Sequence, residues 1–253
     1  MARVLITGSA DGLGLAAADA LLDQGHDVVV HVRNRQRLAA VRALQDRGAT
    51  AVIGDLSDRG ETCGVAAQVN DVGRLDAVIH NAGVLRGPSI LPVNVVAPYI
   101  LTAMIGRPDR LVYLSSNMHR GGRVRLGEMD WSGRRPSGSY SDSKLMVTAF
   151  AMAVARLWPD VSSNAVDPGW VPTKMGGAGA PDDLELGHLT QEWLATSDDP
   201  EATTSGGYWY HQQRAEPAPS VHDQRFQDEL IEELARTTAI PFVNVSGHRG
   251  TFL

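Results

Sequence analysis

Six short runs of β-branched and apolar residues, Val4–Ile6, Val28–Val32, Thr50–Ile53, Ala77–His80, Leu111–Leu114 and Asn164–Val166, recur along the chain with helix-like stretches between them. Near-continuous apolar runs mark strands buried on both faces, and their alternation with helices is the pattern of βαβ units. The chain is therefore predicted to be one α/β domain over residues 1–253, a doubly wound and mostly parallel sheet with helices on both faces. Helices are expected over Leu13–Gln24, stopped by Gly25, then over 36–47, 61–72 and Asn94–Met104. The longest, Tyr140–Trp158, ends at Pro159, and an acidic one covers Asp223–Thr237. Tyr208–Tyr210 reads as an edge strand, and the glycines at 176, 177 and 179 predict a mobile loop with a short helix over about 174–195. The C-terminal helix and tail occupy about 221–253, with no clear pattern from Pro241 onward.

Composition narrows the function. A net charge of −6 argues against a nucleic-acid partner, which needs a basic face. The longest apolar runs are strand-length, so no membrane span is expected. The start passes within a few residues into a strand and a glycine turn, which leaves no room for a signal peptide and points to the cytoplasm. On the same ground the Asn244-Val-Ser246 sequon is not expected to be used. Cys63 is the only cysteine, which excludes an intramolecular disulfide, and no Cys/His pair has zinc-ligand spacing.

The first strand runs into Thr7-Gly8-Ser9-Ala-Asp11-Gly12-Leu13-Gly14 and then a helix. Glycines there let the backbone approach a pyrophosphate, which the helix N-terminus then stabilises. The placement of this turn predicts a Rossmann-type fold and a seat for a nucleotide that carries hydride, with an ordinary tight strand-to-helix connection as the plain alternative. In such folds an acid about 20 residues further on usually holds the adenosine ribose. Here that place reads Val32-Arg33-Asn34-Arg35. A carboxylate would repel a 2′-phosphate, whereas a guanidinium binds one through paired charged hydrogen bonds, so NADP(H) is expected over NAD(H). Arg33 as an ordinary solvated charge is the plain alternative, and Asp11 inside the turn counts against a strongly basic pocket.

Tyr140 and Lys144 stand four apart at a helix entrance, so they share one face. An ammonium beside a phenol favours phenolate and makes tyrosine a usable acid–base near neutrality. Alone, such a pair is common; in order with the other motifs it is not. Thr7-Gly8…Gly12-Leu-Gly14, Asp55-Leu56, Asn81-Ala82-Gly83, Asn94, Ser115-Ser116, Tyr140…Lys144 and Asp167-Pro168-Gly169-Trp-Val171-Pro-Thr173 together resemble the short-chain dehydrogenase/reductases. The 24 positions from Ser116 to Tyr140, with the late Gly206–Tyr210 segment, look like the retinol dehydrogenase-like and carbonyl reductase subgroup.

The resemblance implies a carbonyl–alcohol oxidoreductase. Tyr140 would be the general acid–base, Ser116 the group that holds the carbonyl oxygen, Lys144 the ligand of the nicotinamide ribose, and Asn94 the anchor of a proton-relay water. Asp55 and Leu56 would meet the adenine, Asn81–Gly83 would line the cofactor, and Pro168–Thr173 would hold the carboxamide. Ser115 is an equally eligible hydroxyl, although adjacent strand residues face opposite sides. His119 reads as a loop residue or a pocket wall, and Asn81 as a possible strut between strands. Met118, residues 175–193 and Tyr208–Tyr210 favour an apolar ketone, aldehyde or alcohol as substrate. A non-catalytic NADP(H) sensor and an epimerase- or dehydratase-type relative share the fold. Asn81 to Asn94 and Asn94 to Ser116, at 13 and 22 positions, are short for this family, which leaves monomer and homodimer open.

Overall fold

The protein is described by a computed structural model over residues 1–243, so the sequon and the rest of the tail lie outside the described residues. Strands β1 Arg3–Ile6, β2 Asp27–Val32, β3 Thr50–Ile53, β4 Ala77–His80, β5 Arg110–Leu114, β6 Ser162–Asp167, β7 Tyr208–Tyr210 and β8 Gln213–Ala215 form one sheet. Their order is β3-β2-β1-β4-β5-β6-β7-β8, parallel except for β8. Side chains alternate between two cores as the period of a strand requires. Val4 and Ile6 face one apolar cluster while Leu5 faces the other, and Val28, Val30 and Val32 oppose Val29 in the same way. This is an α/β Rossmann-like fold, and its chain reversal between β1 and β4 opens a crevice at the carboxyl ends of the strands.

The helices are α1 Gly12–Asp23, α2 Arg42–Asp46, α3 Arg59–Val72, α4 Ala97–Met104, α5 Tyr140–Leu157, α6 Leu184–Thr196 and α7 Gln224–Thr238. α1 and α6 pack on one face of the sheet; α3, α4, α5 and α7 pack on the other. Four expectations change. The segment 36–47 is a 3-10 stretch, Arg35–Val41, followed by the short α2. Asn94 lies in a π-helical turn, Pro92–Val96, ahead of α4, because Pro98 has no N–H to close the helical bond to the Asn94 carbonyl. The loop expected to 195 ends at Asp183, whose carboxylate caps a thirteen-residue helix packed on α1. Tyr208–Tyr210 is not the edge: His211 and Gln212, at φ 48° and 59°, turn the chain into β8. Two left-handed residues are what a tight hairpin needs. The Gln212 N–H donates to Thr190 on α6 over 3.0 Å and holds the turn without the usual glycine.

The chain's own end covers the outer side of α4 and α5. Tyr99 donates to the Ile240 carbonyl at 2.7 Å, and the Phe242 ring stacks on Trp158 with 4.7 Å between centroids.

α5 carries both Tyr140 and Lys144, and its start is fixed from both sides. Ser139 accepts the Asp142 N–H at 3.1 Å while Asp142 accepts the Ser139 N–H at 2.7 Å, a reciprocal cap. The other Asp142 oxygen takes the Arg123 N–H at 2.7 Å. Asp142→Ala strands two backbone donors, and urea unfolding is expected to show a loss of about 2–3 kcal/mol. A loss below about 0.5 kcal/mol would show that the cap does not set the helix start.

Candidate active site

The glycine turn is braced from below. Gly8 and Gly12 adopt φ of 70° and 51°, which a side chain would resist, and a Cβ on Gly14 would come within 2.4 Å of Asn81 Nδ2. Asn81 donates to the Thr7 carbonyl at 2.8 Å, so its strut role is real, and the Ala82 N–H donates to Thr7 Oγ1 at 3.0 Å. His31 completes the brace. Its Nδ1 accepts the Gly8 N–H at 3.1 Å, which assigns the proton to Nε2, 2.8 Å from the Gly54 carbonyl. Burial lowers the pKa of His31 and keeps the ring neutral, as this pattern demands. Sequence reading passed over His31 because a lone histidine inside a strand carries no signature.

Several expected cofactor contacts are redefined. The Ser9 hydroxyl is fully buried and donates to Ile6 O at 2.5 Å, so it serves the turn from within. Leu56 sits in the core, which leaves only its backbone available to a nucleotide. Asp55 binds the Ser57 N–H at 2.9 Å at the end of β3. Asn34 uses its side chain to cap the 3-10 stretch, accepting the Arg37 N–H at 3.2 Å. Arg33 leaves β2 exposed, as a phosphate ligand must. Asp11 does not oppose an anion: Lys174 bonds its carboxylate and Arg37 lies 3.5 Å away. Its pKa is lowered, first by the Lys174 hydrogen bond and against a smaller effect of burial. Arg37, which also donates to the Ala10 carbonyl at 3.1 Å, is a turn residue that the sequence did not single out.

At the reaction end, Ser116 follows β5 and Tyr140 opens α5, and both line one cavity of about 830 Å³ that reaches Leu13 in the glycine turn. Pro168, Gly169, Val171 and Thr173 continue its wall. Ser115 and Ser116 both line this cavity, and the Ser115 hydroxyl lies 2.5 Å from Thr148 Oγ1. Lys144 is buried, donates to the Leu114 carbonyl at 2.6 Å, and lies 5.4 Å from the centre of the Tyr140 ring. Asn94 is buried beside it. Asn94 Oδ1 accepts the Val84 N–H at 2.8 Å, and its Nδ2 donates to Val84 O and to Ser143 Oγ, both at 3.0 Å. Gly83 brings the backbone close to both; a Cβ there would lie 3.5 Å from Asn94 Oδ1 and 3.7 Å from Lys144 Nζ.

The electrostatics correct one expectation. Tyr140 is not made more acidic in this state: burial, then the Asp167 charge, pushes its pKa up to about 12 against a lowering by the Ser116 hydroxyl. Lys144 cannot reverse this, because burial drops its own pKa to about 8 and it stands over the ring face while bonded to a carbonyl. His119 is also reassigned. It is fully buried, with Nδ1 2.7 Å from Ser116 O and Nε2 accepting the Ala218 N–H at 2.9 Å. It therefore bolts the Ser116 turn to the segment after β8 and does not face the cavity. Met118, Trp170, Met175, Tyr208 and Tyr210 do line it; Trp193 packs on Trp209 instead.

This geometry agrees with what the chain is similar to. Residues 2–104 match the short chain dehydrogenase family. The short-chain dehydrogenase chyC of Penicillium rubens is 36% identical over 95% of this chain and 98% of its own length. Human retinol dehydrogenase 13 is 25% identical over 94% of this chain and 84% of its own length. A solved structure of an uncharacterized protein from Mycobacterium paratuberculosis shares the fold with a TM-score of 0.80, covering 96% of this chain and 95% of its own, at 23% identity. The chain belongs to the short-chain dehydrogenase/reductase family and is an oxidoreductase of that class. Among the described residues no helix is long and apolar enough to cross a membrane, and no cluster of metal-ligating side chains occurs.

A buried lysine should weaken the fold. The folded pKa of Lys144, about 8, lies below the ordinary 10.5, so the unfolded chain binds more protons between those values and stability rises with pH through that window. Below it the full penalty applies. Lys144→Met is therefore expected to gain about 1–3 kcal/mol at pH 7 and to lose that advantage as pH climbs toward 10.5. Chemical denaturation at pH 7 and 10 checks it, and a destabilised variant at pH 7 would refute it.

Proposed function

We propose that the protein is an NADP(H)-dependent oxidoreductase that interconverts an apolar carbonyl compound and its alcohol, with Tyr140 as the general acid–base. One observation carries the reading: the Ser116 and Tyr140 hydroxyls share a cavity that runs to a glycine turn at a helix N-terminus, with Lys144 beneath the phenol.

The turn fits a dinucleotide. Among the described residues the Leu13 and Gly14 N–H groups at the start of α1 have no backbone acceptor, and the missing Cβ of Gly14 lets the turn pack directly on Asn81 and the Gly8 carbonyl. Gly8, Gly12, Leu13, Gly14 and Thr173 would take the diphosphate side, Arg33 the 2′-phosphate with Arg37 as neighbour, and Asp55 with the Leu56 backbone the adenine. Asn81, Ala82 and Gly83 would border the ribose that Lys144 binds, and Pro168, Gly169 and Val171 the carboxamide. Bound NADPH would supply the hydride for the carbonyl carbon.

The chain's own part is to hold the carbonyl and supply a proton. Ser116 Oγ donates to the carbonyl oxygen and sets its direction. Tyr140, with its pKa near 12, keeps its proton at neutral pH and delivers it to the same oxygen as charge develops there. Lys144, with its pKa near 8, sits close enough to neutrality to pass a proton back toward the phenolate. Both Asn94 amide hydrogens are taken by Val84 and Ser143 and its Oδ1 already accepts the Val84 N–H, so a relay water would be held by its main-chain carbonyl, which Pro98 denies a helical donor. Leu85, Met118, Trp170, Val171 and Met175 supply the apolar surface for the substrate body.

Tyr140→Phe is expected to lower kcat for NADPH-dependent carbonyl reduction by at least about 10³-fold while NADPH still binds. Retained turnover would end the acid–base assignment, and absence of hydride transfer in the unmodified enzyme would favour a sensor. Arg33→Ala should cut the preference for NADPH over NADH by about tenfold or more, from loss of a charge-assisted contact. An unchanged ratio of dissociation constants would refute the 2′-phosphate role.

A further inference from the structure

We propose that Asp167 forms a donor-binding subsite in the reaction cavity, and that the substrate is an apolar ketone carrying a hydroxyl group near its reacting carbonyl. The proposal rests on the carbonyl-reductase reading above and names the substrate class of that site.

Asp167 ends β6 and is 7% exposed, yet it lines the same cavity as Ser116 and Tyr140. Its Oδ1 accepts the Gly169 N–H at 3.0 Å and its Oδ2 the Tyr208 hydroxyl at 3.2 Å. An ionised carboxylate only accepts, and offers about four lone-pair positions. Two are used. Among the described residues no cation forms an ion pair with it, because the nearby ammonium of Lys144 is turned to the Leu114 carbonyl. The contrast with Asp11 is sharp, since that carboxylate has two cations at far greater exposure. A buried charge left with open acceptor sites is costly unless something donates to it. The open space beside Asp167 is the cavity itself, whose other surface is largely apolar: Leu85, Met118, Trp170, Val171 and Met175. A ligand that suits both is an apolar body with one hydroxyl. An acidic group set against Asp167 would be repelled, since the Arg120 guanidinium on the same wall is turned to the Asn117 side chain and the Glu216 carbonyl, and a ketone without a donor would leave the carboxylate stripped of water and unpaired.

The same charge acts on the chemistry. Tyr140 lies within reach of Asp167, which helps keep the proton on the phenol, and a substrate hydroxyl would take its place between them without removing that effect.

The test pairs 2-hydroxyacetophenone with its methyl ether, and 2′-hydroxyacetophenone with its ether, on the full-length protein with NADP(H). Affinity by calorimetry and kcat/KM are both read, so the outcome does not depend on turnover. In the unmodified enzyme at least one hydroxyketone should be favoured over its ether by about 10-fold or more in both measures, the size of a hydrogen bond to a charged group. Asp167→Asn should bring that ratio to within about threefold of unity, and Tyr208→Phe should retain most of it. The Asn variant should also move the high-pH limb of kcat to lower pH, because the neighbouring negative charge is gone; a purely structural residue would leave the limb in place. Asp167→Ser serves if the Asn variant does not fold. A ratio near one in the unmodified enzyme, or one that survives both substitutions, overturns the subsite. So does a variant whose NADPH affinity falls while the ratio stays, since that places the carboxylate against the cofactor. Failure of every ketone to consume NADPH would sink the functional reading, whereas failure of the ratio alone sinks only the subsite.

Discussion

One hydrogen bond, from the Lys144 ammonium to the Leu114 carbonyl, fastens the first turns of α5 to the end of β5. β5 carries Ser116 just beyond that carbonyl, and α5 carries Tyr140 one turn before the lysine. The bond thus sets the distance between the two hydroxyls on which the proposed chemistry depends. It also takes the ammonium out of water, and burial lowers its proton affinity. A site of this kind stores cost in the fold, which the well-packed faces of α5, with Phe150 against Tyr99 and Tyr113, must offset.

The glycine turn was legible in the sequence because its requirements fall on the backbone. Gly8, Gly12 and Gly14 are needed where a side chain would collide or strain, and such needs leave a spaced pattern. The apolar runs of β1 to β6 were equally legible, since burial favours apolar side chains there, although His31, His80, Ser163 and Asn164 interrupt them and are buried too. What the sequence hid depends on tertiary neighbours. Nothing near His31 announces that its two nitrogens link Gly8 to Gly54, and nothing near His119 announces Ala218. The hairpin at His211-Gln212 lacks Asn-Gly and is held instead by Thr190 on a helix far along the chain. The acidity of Tyr140 was misjudged for a related reason. The i, i+4 rule places Lys144 on the same face, but only the packed structure shows its proton donated to a carbonyl and Asp167 across the cavity.

The two halves of the crevice also differ in how they handle negative charge. At the glycine turn the Asp11 carboxylate is neutralised by Lys174 and Arg37, which ties the segment after Thr173 to the turn, and exposed Arg33 forms no ion pair among the described residues. An anion approaching that end meets a favourable field. At the reaction end Asp167 is buried and, among the described residues, only hydrogen-bonded, with the Arg120 side chain on the same cavity wall. A ligand that is anionic at its glycine-turn end would find this arrangement favourable, and an anion set directly against Asp167 would not.

That asymmetry bears on why tyrosine serves as the proposed acid at all. With an isolated phenol near pKa 10 the proton would already be held at neutral pH, and the extra rise from burial and Asp167 makes it still harder to give up in the resting state. Transfer becomes favourable only when a stronger base forms beside it, and the alkoxide that results from hydride addition is such a base. The Ser116 hydroxyl has one proton to donate: in the resting state it lowers the phenol's pKa, and in the proposed reaction it would turn to the alkoxide as that oxygen takes the phenol's proton. On the proposed reading, a site tuned this way would withhold its proton until reduction of the carbonyl is under way, and Lys144, poised near pKa 8, would restore it afterward.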